Sequence, residues 1–227
     1  MLTDHALRIL AASKRRGWVL EPDAKEMMRE AGLSVPLFGH ATSVEGVLRL
    51  AGEIGYPLAA KVVSSTVLHK SDVGGVIIGI DTEPALKEAF SRLSRIDGFS
   101  GVLVEGMQRG LELIVGAKID PQFGPVILLG IGGTGVEIYQ DVAIRMAPLA
   151  QTEVRSMVQS LKGRRLMEGY RGGDAIDMQA LARTLMTFSA LVVDMQDRIA
   201  SVDLNPVMCT AAGCTIADAR IIMRQPP

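Results

Sequence analysis

The sequence predicts an α+β fold, and three observations carry that prediction. Short apolar runs with strand character come in clusters, as in "GVLVEGM", "LELIVGAKI" and "GPVILLG". Segments with helical spacing are interspersed among these clusters and do not follow every strand, which favours mixed or antiparallel sheets over strict βαβ alternation. With 227 residues, 48% hydrophobic and 22% charged, the chain can bury a real core and lies between one large domain and two modest ones.

Taken in order, residues 23–31 read as a short helix stopped by Gly32, and 35–38 as a short extended piece. Thr42 with Glu45 three residues on makes a capping box for a helix running to about Ile54, where Gly55 ends it and "PLAAKVV" enters a strand. Beyond a polar loop, "GVIIGI" is rich in β-formers. "TEPALKEAFSRL" places proline in a first helical turn, with Leu86, Ala89, Phe90 and Leu93 on one face. The three clustered runs are strands, the first two separated by the polar turn "QRG". In "VEIYQDVAIRM", Val136, Ile138, Val142, Ile144 and Met146 recur with period two, which indicates extended structure. The glycine-rich, charged "GRRLMEGYRGGDAID" reads as loop. Met178, Leu181, Ala182, Leu185, Phe188 and Val192 then form one helical face, and "IASVDLNPVMC" and "TIADARI" are closing strands.

A net charge of −1 provides no general field to draw nucleic acid or an anionic membrane, so any anion site must be local. No apolar run approaches the roughly 20 residues that span a bilayer, and the start lacks a secretory pattern; a cytoplasmic location is the expectation. Cys209 and Cys214 in "CTAAGC" have neither a second pair nor a nearby histidine, so zinc is not indicated and two reduced, partly buried thiols are expected.

Several polar residues carry candidate chemistry. The string "GIGGTG" at 130–135 formally fits G-x-G-x-x-G, but that fingerprint must open a helix, and strand-period sequence follows here. Lys61 within an apolar strand is costly unless it is paired, reaches water from an edge or meets an anion, and Arg145 in "AIRMAP" poses the same question. Asp203 and Asn205 are two apart, and Asp218 lies on the next strand, so hairpin pairing could gather three oxygen ligands of the kind that suit Mg²⁺. Caps and turns around Pro206 explain the same residues. In "SSTVLHKSDVGGV", His69 sits in a loop whose Gly74 and Gly75 allow close approach to a ligand or a swing. Imidazole is a competent nucleophile near neutral pH, yet a lone loop histidine is ordinarily a surface residue.

Together, "GYPLAAKVVSSTVLHKSDVGGV", "VLVEGMQRGLELIVGAKIDPQFGPVILLGIGGTGVEIYQDVAIRMAPL", "LMEGYRG" and "VDLNPV…ADARI" closely resemble the ATP-grasp β-subunit of ADP-forming acyl-CoA synthetases, related to succinyl-CoA synthetase β-subunits. The resemblance runs from about residue 20 to the end, in several separated motifs that match in order. It implies an ATP-grasp fold of two α+β lobes clamping a nucleotide, approximately 20–106 and 107–227, with 1–19 as a helical docking extension. It also implies that Lys61 holds nucleotide phosphates and that "VEGM" is the hinge meeting adenine, with Glu105 and Met107 at contact positions and Gly106 between them. Glu112 matches a ribose or nucleotide contact, Arg145 an arginine on the phosphate side, and Asn205 and Asp218 the Mg²⁺ ligands, with Asp203 in a neighbouring acidic position. His69 matches the histidine that is phosphorylated in this family. The implied reaction is acyl-CoA + phosphate + ADP to carboxylate + CoA + ATP, with a CoA-binding α-subunit as partner in a heterotetramer. A regulatory nucleotide-sensing module and a carboxylate–amine ligase are the other readings; the second has no use for His69. Two departures stand out: Ser201 replaces a frequent glutamate, and no residue clearly matches the upstream nucleotide lysine of many ATP-grasp proteins.

Overall fold

The computed structural model describes residues 2–133, 141–170 and 172–225. They form two compact units, Pro36–Gln108 and Met1–Val35 with Arg109–Pro227. Every strand pairing among the described residues is antiparallel.

The smaller unit is a four-stranded sheet of order β2-β5-β3-β4, made of β2 (Phe38–Ala41), β3 (Leu58–Ser64), β4 (Val76–Ile80) and β5 (Phe99–Gly106). Helices α3 (Val44–Ile54) and α4 (Glu83–Leu93) pack on it. Ser43, one residue later than the expected Thr42, caps α3 by accepting from the Gly46 N–H, and Thr82 caps α4 with Pro84 in its first turn. Leu86, Ala89, Phe90 and Leu93 of α4 join Val47, Ala51, Leu58, Ala60, Val62, Val102 and Val104 in one apolar core. Lys61 and Glu105 belong to the alternate face of those strands.

The larger unit is a seven-stranded sheet of order β1-β11-β9-β6-β7-β8, with β10 also on β9. Its strands are β1 (Trp18–Val19), β6 (Leu111–Asp120), β7 (Gly124–Ile131), β8 (Val142–Met146), β9 (Ile199–Thr210), β10 (Gly213–Ile216) and β11 (Arg220–Met223). The helices are α1 (Asp4–Ser13), α2 (Glu21–Glu30), α5 (Gln151–Ser160), α6 (Arg164–Met167) and α7 (Met178–Met195). Leu181, Leu185, Phe188 and Val192 of α7 are fully buried, and full burial of one such side chain contributes about 1.5–3 kcal/mol.

Three expectations need correction. Residues 1–19 are not an appendage, nor do 20–35 go with 36–106: Ile9, Leu10, Ala24, Met27 and Met28 sink into the same core as Ile221 and Met223, and β1 pairs with β11. Asp218 is not on a strand, because "TIADARI" breaks into β10 and β11 with 217–219 between them. The cysteines are not free thiols. Cys209 and Cys214 are direct cross-strand partners in the β9–β10 hairpin, with Cα atoms 4.2 Å apart, and are joined as a disulfide. That spacing is what an antiparallel non-hydrogen-bonded pair offers. Residues 136–140 of the alternating stretch, Thr134 and Gly135 of "GIGGTG", and Arg171 lie outside the described residues.

Candidate functional site

In the smaller unit, Lys61 is not at an edge. It lies on β3, flanked by β4 and β5, with its side chain 7% exposed and its Nζ 3.0 Å from Glu105 Oε1. The register explains the pairing: Lys61 faces Leu103 and Ala59 faces Glu105, so the two charges are diagonal neighbours on one sheet face. The Glu105 carboxylate is thus a counter-charge to Lys61. Just after Glu105, the Gly106 N–H donates to the Leu37 carbonyl and the Met107 N–H to that of Pro57.

His69 is exposed between two anchored arms of its loop. On one side, Thr66 and Val67 donate their N–H groups to Ser64 Oγ. On the other, residues 71–73 form a single 3₁₀ turn capped by Gly74 in the left-handed region, φ 65°. The Gly75 N–H donates to the Lys70 carbonyl at 2.7 Å, and a Cβ on Gly75 would lie 2.6 Å from Val62 Cγ1 and 2.9 Å from that carbonyl oxygen. The two glycines are therefore required by turn geometry and close packing, a more specific cause than general freedom to swing.

In the larger unit, Asp203 and Asn205 lie two apart on β9, and the turn bearing Asp218 follows β10. Asp203 pairs with Arg220 across β9 and β11, and its Oδ2 accepts from Arg220 Nη2 at 2.8 Å. Asn205 is exposed in β9, in a stretch where the register with β6 shifts. The Ala217 N–H donates to the Pro206 carbonyl at 3.0 Å, which draws the turn bearing Asp218 beside Asn205. Among the described residues no three His, Cys, Asp or Glu side chains cluster as a metal site; this group is an amide and two carboxylates, one engaged by arginine. Oxygen-only donors with few charges fit Mg²⁺, which keeps waters and leans on substrate phosphates. Arg220, the partner of Asp203, was not singled out in the sequence. The register of β11 on β9 sets it opposite Asp203.

Glu112 is exposed on β6, where it faces Met208 of β9. The Gly132 N–H donates to the Glu112 carbonyl at 2.7 Å, and a Cβ on Gly132 would lie 2.8 Å from that oxygen. Close approach of two chain segments thus accounts for this glycine. Arg145 is not brought to the Asp203 group. It pairs with the core residue Ile127, whose strand neighbour Leu128 is in line with Gly116 and Asp203, so alternation places Arg145 on the opposite sheet face. There its Nη2 donates to Ser156 Oγ of α5 at 2.7 Å. No helix among the described residues is long and apolar enough to cross a membrane.

The family profile described as ATP-grasp domain matches residues 10–223. The chain is 34% identical over 213 residues to subunit beta of acetate–CoA ligase [ADP-forming] I of Pyrococcus furiosus, covering 90% of this chain and 91% of that one. It is 38% identical over 214 residues to acetate–CoA ligase [ADP-forming] I of Archaeoglobus fulgidus, of whose length it spans 31%, with 91% of this chain covered. A solved structure from Ca. Korarchaeum cryptofilum superposes with TM-score 0.84 at 34% identity, covering 96% of this chain and all of that one. It is a dinucleotide-forming acetyl-coenzyme A synthetase 1 in complex with coenzyme A and Mg-AMPPCP, its phosphohistidine segment pointing towards the nucleotide-binding site. On the profile match and the full-length likeness to a β-subunit, this chain belongs to the ATP-grasp family, with the β-subunits of ADP-forming acetate–CoA ligases.

Proposed function

We propose that the chain is the nucleotide-binding, phosphoryl-transferring part of an ADP-forming acyl-CoA synthetase, with His69 as the carrier. The reaction is acyl-CoA + phosphate + ADP to carboxylate + CoA + ATP. Phosphate displaces CoA to give an acyl phosphate on a CoA-binding partner, read here as a separate α-subunit in a heterotetramer. A histidine of that partner takes the phosphoryl group from the acyl phosphate, and the carboxylate leaves; the unprotonated ring nitrogen of His69 then attacks that phosphohistidine, the partner's imidazole departs, and the proton on the other ring nitrogen of His69 passes to it as the new P–N bond forms. ADP then takes the group from His69, giving ATP and restoring the imidazole.

The observation that carries this reading is the placement of His69, an exposed nucleophile between two fixed arms, in a chain of this family. Lys61 suits a nucleotide phosphate as a buried cation already held in place. Glu112 and the hinge from Glu105 to Met107 suit the nucleoside. Asn205 and Asp218, with Asp203 beside them, would hold Mg²⁺, which supplies charge screening for the phosphates when bound. Arg145 acts through α5 and is withdrawn from the phosphate group in this reading. The protein works in the cytoplasm, where ADP and acyl-CoA are available.

The test mixes the chain with Mg²⁺ and γ-labelled ATP, with and without its CoA-binding partner, and measures acid-labile, base-stable protein label. Wild type is expected to take label and His69→Ala to take none. Equal incorporation by the two proteins removes His69 as carrier.

A further inference from the structure

The Cys209–Cys214 disulfide has no part in the reading above, yet it closes the hairpin that carries Asn205 and leads into the Asp218 turn. Each cysteine stands four residues from one of those side chains, Cys209 from Asn205 on β9 and Cys214 from Asp218 on the other arm. At the usual strand rise, the crosslink is about 13 Å along the hairpin from Asn205. The two arms are held differently. β9 is bonded to β6, β10 and β11, and its end is tied to α7, where the Asp177 N–H donates to the Thr210 carbonyl at 2.8 Å. β10 is four residues long; α7 packs against it, but among the described residues it pairs with β9 alone. Past it, the Ile216 N–H donates to the Ser34 carbonyl at 2.9 Å and the Ala217 N–H to that of Pro206 at 3.0 Å, with Ser34 Oγ 3.3 Å from Thr215 Oγ1. These few contacts and the disulfide hold the Asp218 turn.

A crosslink between residues only 5 apart in sequence removes little freedom from the unfolded chain, so it adds little to global stability. By linkage the fold does equally little to protect such a bond from reduction. What it secures is local, the register of β10 on β9. In a reducing compartment, disulfides are mostly exchange sites rather than staples. Both sulfurs lie in the core, with Cys209 1% and Cys214 5% exposed, so a thiol reaches them when β10 frays, and a short edge strand is among the first parts of a sheet to open.

We propose that Cys209–Cys214 is a thiol–disulfide exchange site that locks the Asp218 turn beside Asn205 when oxidised and releases it when reduced by a dithiol. One thiolate of the dithiol attacks Cys214 Sγ, and Cys209 leaves as a thiolate. The second thiolate of the reagent then attacks the mixed disulfide and Cys214 leaves; the reagent departs as its own disulfide, its two protons and two electrons passing to the cysteines. The consequence for nucleotide rests on the reading of Asn205 and Asp218 as Mg²⁺ ligands.

The test equilibrates the full chain in mixtures of reduced and oxidised dithiothreitol and counts free thiols by alkylation after acid quench. The chain has 2 cysteines, so the count should rise from none to both while circular dichroism keeps its folded signal. Amide hydrogen exchange at Ile216 and Ala217 should be roughly tenfold or more faster in the reduced protein, with Asp177 unchanged. Cys209→Ala with Cys214→Ala should exchange as the reduced protein does and ignore the reagent. Reoxidation of the wild type should restore slow exchange, a check that does not depend on how the variant folds. A bond that yields only on unfolding, or equal exchange at Ile216 and Ala217 in the two states, overturns the lock. Calorimetric affinity for Mg²⁺-ADP should fall roughly three- to tenfold on reduction, as for a turn in its competent arrangement about a third to a tenth of the time. Faster exchange with unchanged affinity upholds the lock and removes Asp218 from the metal group, so the two failures are distinct.

Discussion

In the smaller unit, His69 is presented on a loop whose shape depends on side chains and one short turn. In the larger unit, Asn205 and the Asp218 turn are set by a hairpin in which Ile216 faces Val207, Ala217 bonds Pro206 and the Cys209–Cys214 disulfide closes the strands. A residue on side-chain anchors can be repositioned by breaking a few hydrogen bonds, each contributing about 0.5–1.5 kcal/mol. A residue on a sheet register cannot move without flipping its neighbours to the other face. The difference fits a carrier in one unit and metal ligands in the other.

The largest break in this comparison is expected at Lys61. Removing one partner of a buried ion pair costs about 3–5 kcal/mol, so Lys61→Met should lower the urea midpoint sharply and abolish measurable nucleotide binding. Lys61→Met with Glu105→Leu should recover part of the stability and none of the binding; restored binding in the double variant would take Lys61 out of the site. Next comes Asp218→Ala. A charge-assisted contact of about 1.5–3 kcal/mol corresponds to a roughly 10- to 100-fold loss of Mg²⁺-nucleotide affinity. Equal affinity for wild type and Asp218→Ala would leave the hairpin a structural feature only.

Arg145→Ala is a smaller test. Losing the bond to Ser156 should cost about 1 kcal/mol of stability and leave nucleotide affinity intact; a weakened nucleotide complex would return Arg145 to the phosphates. The smallest effect is at the helix pair α1–α2. Glu30 is held below its ordinary value of 4.5 by hydrogen bonds from Thr3 and then His5. A depressed carboxylate contributes stability that is fully present above pH 4.5 and is lost as pH falls through the lower folded value. Glu30→Gln should therefore flatten the acid limb of the stability profile, slightly, because solvent screens an exposed group. An unchanged profile below pH 4.5 would show that this contact contributes nothing.

Periodicity made α4 and α7 legible: Leu86, Ala89, Phe90 and Leu93, and Leu181, Leu185 and Phe188, are buried as their spacing requires. It did not reveal α5, whose apolar residues Val154, Met157 and Val158 are few and set among polar ones, nor β1, which is two residues long. Nor could spacing say which core α1 and α2 join, since an amphipathic helix names a face and not a partner. At the site, the Asp218 turn is tied to Pro206 by the Ala217 N–H, and Asp218 itself lies between strands, where spacing had put it on one. The side Arg145 takes depends on where the strand starts, and the Lys61–Glu105 pair on a register between distant strands; neither is written locally.

The chain leaves the larger unit at Val35 and re-enters it at Arg109, and the segment between begins and ends side by side, with Phe38 opposite Glu105 and the Gly106 N–H on the Leu37 carbonyl. During synthesis, 36–108 can close its own core while α1 and α2 still wait for β6 to β11 to emerge from the ribosome. The His69 loop is thus finished first, and the amphipathic helices Asp4–Ser13 and Glu21–Glu30 are the nascent surface in need of shelter. Adjacent ends also make 36–108 a transplantable cassette, one that can be excised or exchanged between relatives at two neighbouring cuts.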